Sequence, residues 1–370
     1  MQPVPKLFIK TFGCQMNVYD SARMRDTLLV QGFKETTEAA KADVILLNTC
    51  HIREKASEKL FSELGRLAQE KKKNALVVVT GCVVQADGVE ILRRSKLIDI
   101  ALGPQNYHQL PELVAQYNRA KGRILKADFP AESKFDFLPT PQKSTAAAFL
   151  AIQEGCDHFC SYCVVPYTRG CEYSRPMKDI LLEAKALVKA GAKEIMLLGQ
   201  NVNGWHGDAC KDLGDLIREL AKIRDLKRIR YTTSYPSEMT QNLINAHKDT
   251  PKLMPYIHLP IQSGSNAILK KMGRRYTTDE YITLFNKIKD NILNVSITTD
   301  IIVGFPNETE EEFQDTLDIV NLLKYDLAYT FIYSKREGTP AAKMEDNIPE
   351  EVKRERLYRL NELVNKYAKE

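Results

Sequence analysis

The 370-residue sequence predicts an α/β protein in two parts, an N-terminal parallel α/β sheet domain followed by a (β/α)6 partial barrel. Three observations lead there. Short apolar, β-branched runs alternate with amphipathic helical stretches along most of the chain, as in parallel sheets covered on both faces. One stretch, with Pro130, Pro139 and Pro141, breaks the alternation. Beyond it the alternation resumes six times, which fits a barrel or part of one.

In the first part, residues 6–10, 43–47, 76–80 and 98–102 read as strands, and 19–30 and 54–72 as helices. This domain is expected to span 1–120. Residues 121–147 read as a linker with a short strand inside it. The barrel is expected over 148–348, with strands at 149–153, 194–198, 228–233, 256–260, 297–303 and 329–333. Its helices are expected at 179–190, 213–223, 241–247, 278–288 and 310–323. The end of the chain, 349–370, reads as a charged helix with Leu357, Leu360, Leu363 and Val364 on one apolar stripe.

Composition narrows the class. Hydrophobic residues at 44% and charged residues at 27% exclude a disordered chain, a collagen and a small disulfide scaffold. No apolar run approaches the ~20 residues of a membrane helix. The first six residues lack the basic and apolar regions of a signal peptide, so a cytoplasmic protein with no membrane partner is expected. The net charge of +5 permits a nucleic-acid partner without requiring one.

Eight cysteines without a secretion signal point to metal ligation or redox chemistry, because disulfides are rare in a reducing compartment. Cys14, Cys50 and Cys82 each follow a predicted strand. Parallel strands bring all three to one sheet edge, the edge where open α/β sheets hold ligands. The bland alternative is three unrelated buried cysteines. In the barrel part, Cys156, Cys160 and Cys163 form C-x3-C-x2-C just after the first strand. Three thiolates on one loop can hold three irons of a [4Fe–4S] cluster and leave the fourth open to a ligand. A zinc site completed by Cys171, or a loop with no metal, are the other readings.

The C-x3-C-x2-C motif after the first strand of a six-fold β/α repeat resembles the radical S-adenosylmethionine enzymes. The stretches 11–17 (TFGCQMN), 48–50 (NTC) and 80–82 (TGC) resemble the N-terminal domain of the methylthiotransferases among them. Residues 164–170 (VVPYTRG), with Ser174-Arg175-Pro176, resemble the branch that modifies tRNA; 258–265 (HLPIQSGS) and 300–306 (DIIVGFP) match further. The resemblance covers essentially the whole chain. It implies two [4Fe–4S] clusters, the radical one on Cys156, Cys160 and Cys163 and an auxiliary, sulfur-carrying one on Cys14, Cys50 and Cys82. It also implies S-adenosylmethionine as cofactor, and methylthiolation at C2 of N6-dimethylallyladenosine beside the anticodon. The implied partners are the tRNA anticodon stem-loop, a low-potential electron donor such as flavodoxin or ferredoxin, and a sulfur donor. Sister activities act on threonylcarbamoyladenosine of tRNA or on an aspartate of a ribosomal protein; a reading from another class is a non-catalytic, metal-stabilised RNA-binding module. Family members carry a further β-barrel, the TRAM domain, after the last helix. The chain ends at Glu370 without one, so weak, salt-sensitive tRNA binding is expected.

Strand-end side chains are the candidates for holding S-adenosylmethionine: Tyr162 between two cysteines, Gln200 and Asn201 after the second barrel strand, Ser234 at the third and Gln262 after the fourth. Gln200–Gly204 also reads as a plain turn, and Ser234 as a helix cap. Lys270, Lys271, Arg274, Arg275, Lys335 and Arg336 read either as phosphate contacts or as a solvated surface. His158 and His258 read as structural histidines or ligands, Trp205 as core or a base-stacking ring, and Cys171 and Cys210 as bystanders.

Overall fold

A computed structural model describes residues 4–51, 54–208 and 211–368, without the side chains of 54–57. Cys210 and residues 1–3 lie outside the described residues. The chain divides into two compact units.

The first unit is Met1–Thr145 with the short segments Tyr167–Gly170 and Lys189–Gly191. Its centre is a six-stranded parallel sheet in the order Lys34–Glu35, Lys6–Thr11, Val44–Asn48, Leu76–Thr80, Ile100–Leu102, Ile124–Lys126. Val44–Asn48 and Leu76–Thr80 are buried at every position, because helices cover both faces. Leu60, Leu64 and Leu67 of the helix Glu54–Glu70 pack on one side. Met24 and Leu28 of Gln15–Val30, with Leu113 and Val114 of Leu110–Ala120, pack on the other. The first helix starts at Gln15, four residues before the expected start at 19, because Cys14 takes an extended backbone at its N-cap. The short strand expected within 121–147 is Ile124–Lys126, and it pairs onto Ile100–Leu102 as an edge strand.

The second unit, Ala146–Pro166, Cys171–Val188 and Ala192–Glu370, holds six parallel strands. Ala147–Ala151, Glu194–Leu198 and Arg228–Tyr231 form one sheet; Tyr256–His258, Ser296–Val303 and Leu327–Ile332 form another. A parallel bridge from Ile229 to Leu253 leads from the first sheet toward the second. Strands thus follow one another in chain order, and Ala147–Ala151 and Leu327–Ile332 end their sheets, as in an open barrel. The predicted fold class is the observed one. Helices Leu213–Ala221, Thr278–Asn291 and Glu310–Leu323 each begin with a reciprocal capping box, from Asp212, Thr277 and Thr309. The last helix, Glu350–Tyr367, buries Leu360 and Val364. Unforeseen elements include the helices Leu110–Ala120 and Asn266–Lys271 and an antiparallel ribbon of Gln153–Glu154 with Tyr173–Ser174. Among the described residues no helix is long and apolar enough to cross a membrane.

Candidate functional site

In the first unit, the strands deliver three cysteines to one edge. Cys14 follows Lys6–Thr11, Cys50 follows Val44–Asn48, and Cys82 follows Leu76–Thr80. Cys50 shares side-chain hydrogen bonds with both Cys14 and Cys82. Cys50 and Cys82 are buried and Cys14 is exposed. Two glycines let the segments approach. Gly13 (φ +116°) has no room for a Cβ, which would fall 2.5 Å from the Cβ of Cys50. Gly81 (φ +103°) sits against the Thr49 carbonyl in the same way.

Polar side chains hold the backbone beneath the sulfurs. The Cys14 thiol donates to Asn17 Oδ1 (3.0 Å), Asn17 Nδ2 donates to Asn48 Oδ1 (2.9 Å), and Asn48 Nδ2 donates to the Asn17 carbonyl (2.8 Å). Arg169 Nε donates to Cys82 Sγ at 3.3 Å. The Cys50 hydrogen bond holds the Cys82 thiol down at about 6, and the Arg169 charge acts in the same direction. The Cys50 hydrogen bond likewise holds Cys14 at about 7, against the partial desolvation of its sulfur. Cys50 is pushed far up by its hydrogen bonds with Cys14 and Cys82, and burial adds to the rise. Three soft sulfur donors, two of them inclined to ionise, fit an iron–sulfur cluster.

In the second unit, the loop after Ala147–Ala151 carries the other triad. Gly155 (φ +77°) and Phe159 (φ +50°) bend it through left-handed backbone. The Cys163 N–H donates to the Cys160 carbonyl at 2.9 Å, and Ser161 ties the loop to Met272 and Lys271 through its N–H and hydroxyl (2.8 Å each). Arg274 NH1 donates to Cys160 Sγ at 3.5 Å. Burial raises Cys156 to about 11 and Cys163 to about 12, so these thiols hold their protons until a metal takes their place. The donor set again fits an iron–sulfur cluster. Among the described residues no three His, Cys, Asp or Glu side chains converge on a point that one metal ion would occupy. Cys171 is exposed, and the structure supplies no closed zinc site through it.

The expected cofactor residues fall into different settings. Gln200 Oε1 accepts from the Gly155 N–H at 2.7 Å, so it braces the cysteine loop. Asn201 is buried and donates to Glu238 and lies 3.2 Å from His158 Nε2. Val202–Gly204, next to them, is a single 3-10 turn. Ser234 is buried with its hydroxyl unpartnered and caps no helix. Gln262 is buried with φ +74° and bonds through its backbone to Asp300 and Ile302. Tyr162 packs on the barrel core, and burial lifts its hydroxyl well above the ordinary tyrosine value.

Other expectations resolve toward structure. Arg274 is no free surface cation: it lies 4.3 Å from the Tyr235 ring centroid, bonds Tyr276 Oη at 2.8 Å, and reaches the Pro260 carbonyl. Lys271 pairs with Glu312 at 3.5 Å, while Lys270, Arg275 and Lys335 are exposed. His158 stacks on Tyr235 at 3.7 Å and pairs with Glu238 at 3.0 Å. His258 is held by Thr298 at 2.9 Å and Asp300 at 3.4 Å. Trp205 is buried with its indole N–H on the Arg175 carbonyl.

Sequence reasoning missed Gln153, a fully buried residue at the ribbon start. Its Oε1 accepts from the N–H groups of Gln200 (2.9 Å) and Asn201 (3.1 Å), and its Nε2 donates to the Gly155 carbonyl (2.7 Å). One amide thus fixes the cysteine loop to the second strand end. A leucine here would leave three backbone groups unpaired, each worth about 1–3 kcal/mol. Gln153→Leu is expected to lower stability by at least about 2 kcal/mol in urea unfolding. An unchanged urea midpoint would contradict this bracing role.

Residues 6–103 match the Uncharacterized protein family UPF0004, and residues 150–320 match the Radical SAM superfamily. The tRNA-2-methylthio-N(6)-dimethylallyladenosine synthase of Zymomonas mobilis is 54% identical over 97% of this chain and 81% of its own length. The chain belongs to the radical S-adenosylmethionine tRNA methylthiotransferases. A synthase of the same name from Agrobacterium fabrum is 50% identical to this methylthiotransferase, over 99% of the chain and 83% of that protein. Among solved structures, the radical S-adenosylmethionine methyltransferase TsrM of Kitasatospora setae superposes with a TM-score of 0.66 at 14% identity, over 92% of this chain and 77% of that one. The cobalamin-dependent radical enzyme OxsB superposes with a TM-score of 0.62 at 12% identity; the methylthiotransferase covers 56% of it. At these identities the likeness concerns the fold alone.

Proposed function

We propose that this methylthiotransferase converts N6-dimethylallyladenosine next to the tRNA anticodon into its 2-methylthio derivative. The observation that carries the reading is the pair of cysteine triads, each placed after parallel strands. Residues 1–120 would carry the auxiliary [4Fe–4S] cluster on Cys14, Cys50 and Cys82. The barrel, 148–348, would carry the radical cluster on Cys156, Cys160 and Cys163 and bind S-adenosylmethionine through Tyr162, Gln200, Asn201, Ser234 and Gln262. When bound, these groups supply the one-electron chemistry and the sulfur that amino-acid side chains lack.

The chain's own residues orient and shield. Gln153 and Gln200 fix the barrel loop from two sides. Arg274 donates to Cys160, and its guanidinium is held in place by Tyr235 and Tyr276. Asn17 and Asn48 pin the start of the helix Gln15–Val30 to the end of the strand Val44–Asn48. The outside partners are tRNA, a low-potential donor such as flavodoxin or ferredoxin, and a sulfur donor. The names of the relatives favour the prenylated adenosine over the two sister substrates. A purely structural RNA-binding module would close its metal sites with a fourth protein ligand, and each triad has three cysteines.

The test is anaerobic reconstitution with iron and sulfide, then incubation with S-adenosylmethionine, a reductant and tRNA carrying the prenylated adenosine. Mass spectrometry of the digested nucleosides is expected to show the 2-methylthio product. An unchanged nucleoside, with product from threonylcarbamoyladenosine tRNA instead, would move the assignment to the sister activity.

A further inference from the structure

The Cys82 sulfur meets a side chain that the sequence places 87 positions away. Arg169 lies in Tyr167–Gly170, a segment that follows the barrel's cysteine loop in the chain yet belongs to the first unit. Its Nε–H donates to Cys82 Sγ at 3.3 Å, and its NH1 pairs with Asp20 at 2.8 Å. The Arg169 and Asp20 side chains are each only 2% exposed. Gln105 Nε2 donates to the Arg169 carbonyl at 2.6 Å and fixes the backbone. Behind Asp20 stands Lys134, 1% exposed, with its ammonium 3.7 Å from the carboxylate and 2.9 Å from the Pro104 carbonyl.

We infer that Arg169 is a positioning residue that sets the reduction potential of the cluster held by Cys14, Cys50 and Cys82, with Asp20 as its opposing charge. The inference rests on the auxiliary-cluster reading above. Cluster potentials follow net charge, hydrogen bonds to sulfur and solvent exposure. Arg169 brings the first two to one sulfur, in a site dry enough for a single charge to act strongly. An arginine serving only as a clamp would need its carboxylate and its backbone bond. Here one guanidinium nitrogen is spent on sulfur.

Reduction adds one electron, so a cation and an N–H···S bond stabilise the reduced state. Removing Arg169 should therefore lower the potential, and removing the Asp20 charge should raise it. The opposite signs separate an electrostatic role from a structural one. The measurement is a redox titration, followed by electron paramagnetic resonance, of the full chain carrying Cys156→Ala, Cys160→Ala and Cys163→Ala. That background holds the auxiliary cluster alone, and its iron content is read first. Arg169→Met is expected to shift the midpoint down, Asp20→Asn up, and the double variant to fall between them. Arg169→Lys, which keeps the charge, is expected to lie closer to the parent than Arg169→Met. Shifts of one sign in both single variants, or no shift at full iron loading, would overturn the inference and leave the cluster reading standing. Loss of iron from Arg169→Met, Arg169→Lys and Asp20→Asn alike would overturn it in favour of a clamp. A background protein without iron would remove the auxiliary-cluster reading, and this inference with it.

Discussion

Alanine in place of Cys160 is expected to reduce 5′-deoxyadenosine formation to background, while alanine in place of Cys50 spares much of that cleavage and abolishes methylthio product. The proposed assignment divides the labour. Cys160 lies at the barrel loop, where Arg274 donates to its sulfur and the neighbouring Ser161 is tied to Met272. Losing this thiolate removes a ligand from the site that would reduce S-adenosylmethionine. Cys50 lies in a different unit and hydrogen-bonds Cys14 and Cys82. Its loss leaves the barrel site intact but breaks the centre of the sulfur-carrying triad. Metal binding is coupled to folding, so circular dichroism and residual iron must accompany both variants. A well-folded Cys50→Ala protein that lacks the auxiliary cluster yet makes 2-methylthio product over many turnovers would contradict the division.

Gly81→Ala is expected to cost at least about 2–3 kcal/mol and to strip iron from the first unit. Two effects add. The backbone at Gly81 (φ +103°) is one that L side chains rarely adopt, and a Cβ would lie 2.2 Å from the Thr49 carbonyl and 2.6 Å from Asn48 Oδ1. Thr49 is held to the next strand by its N–H on the Thr80 carbonyl at 3.0 Å, and it directly precedes Cys50. The clash can relax only by moving a cysteine or breaking the strand pairing. Gly88→Ala is the control: its φ is also positive (+54°), but nothing lies within 4 Å of the added Cβ. With ψ −127°, Gly88→Ala meets backbone strain alone, which should cost about 1–3 kcal/mol, and it should leave iron unchanged. Urea unfolding with iron analysis checks the pair, and a Gly81→Ala protein as stable and iron-replete as the parent would refute the steric argument.

The strand ends were legible because local signals define them. Apolar runs such as Leu76–Thr80 fix a strand, and the glycine and cysteine after it mark the place where the chain leaves the sheet. Parallel topology then brings Cys14, Cys50 and Cys82 to one edge. The bracing residues were not legible in the same way. Arg169 reaches Cys82 across 87 positions and Arg274 reaches Cys160 across 114, and no local pattern encodes such pairs. Arg274, beside Lys270, Lys271 and Arg275, looks like part of a basic surface stretch, but Tyr235 and Tyr276 take it out of solvent. Gln153 carries an ordinary amide whose value lies in three backbone partners that only the barrel assembles.

The most direct test of the two-site account is iron and acid-labile sulfide analysis after anaerobic reconstitution of the full chain. Six cysteines in two open triads predict two [4Fe–4S] clusters per chain, falling to one when either triad is replaced by alanine. One cluster's worth in the parent protein, or stoichiometric zinc with iron absent, would contradict it.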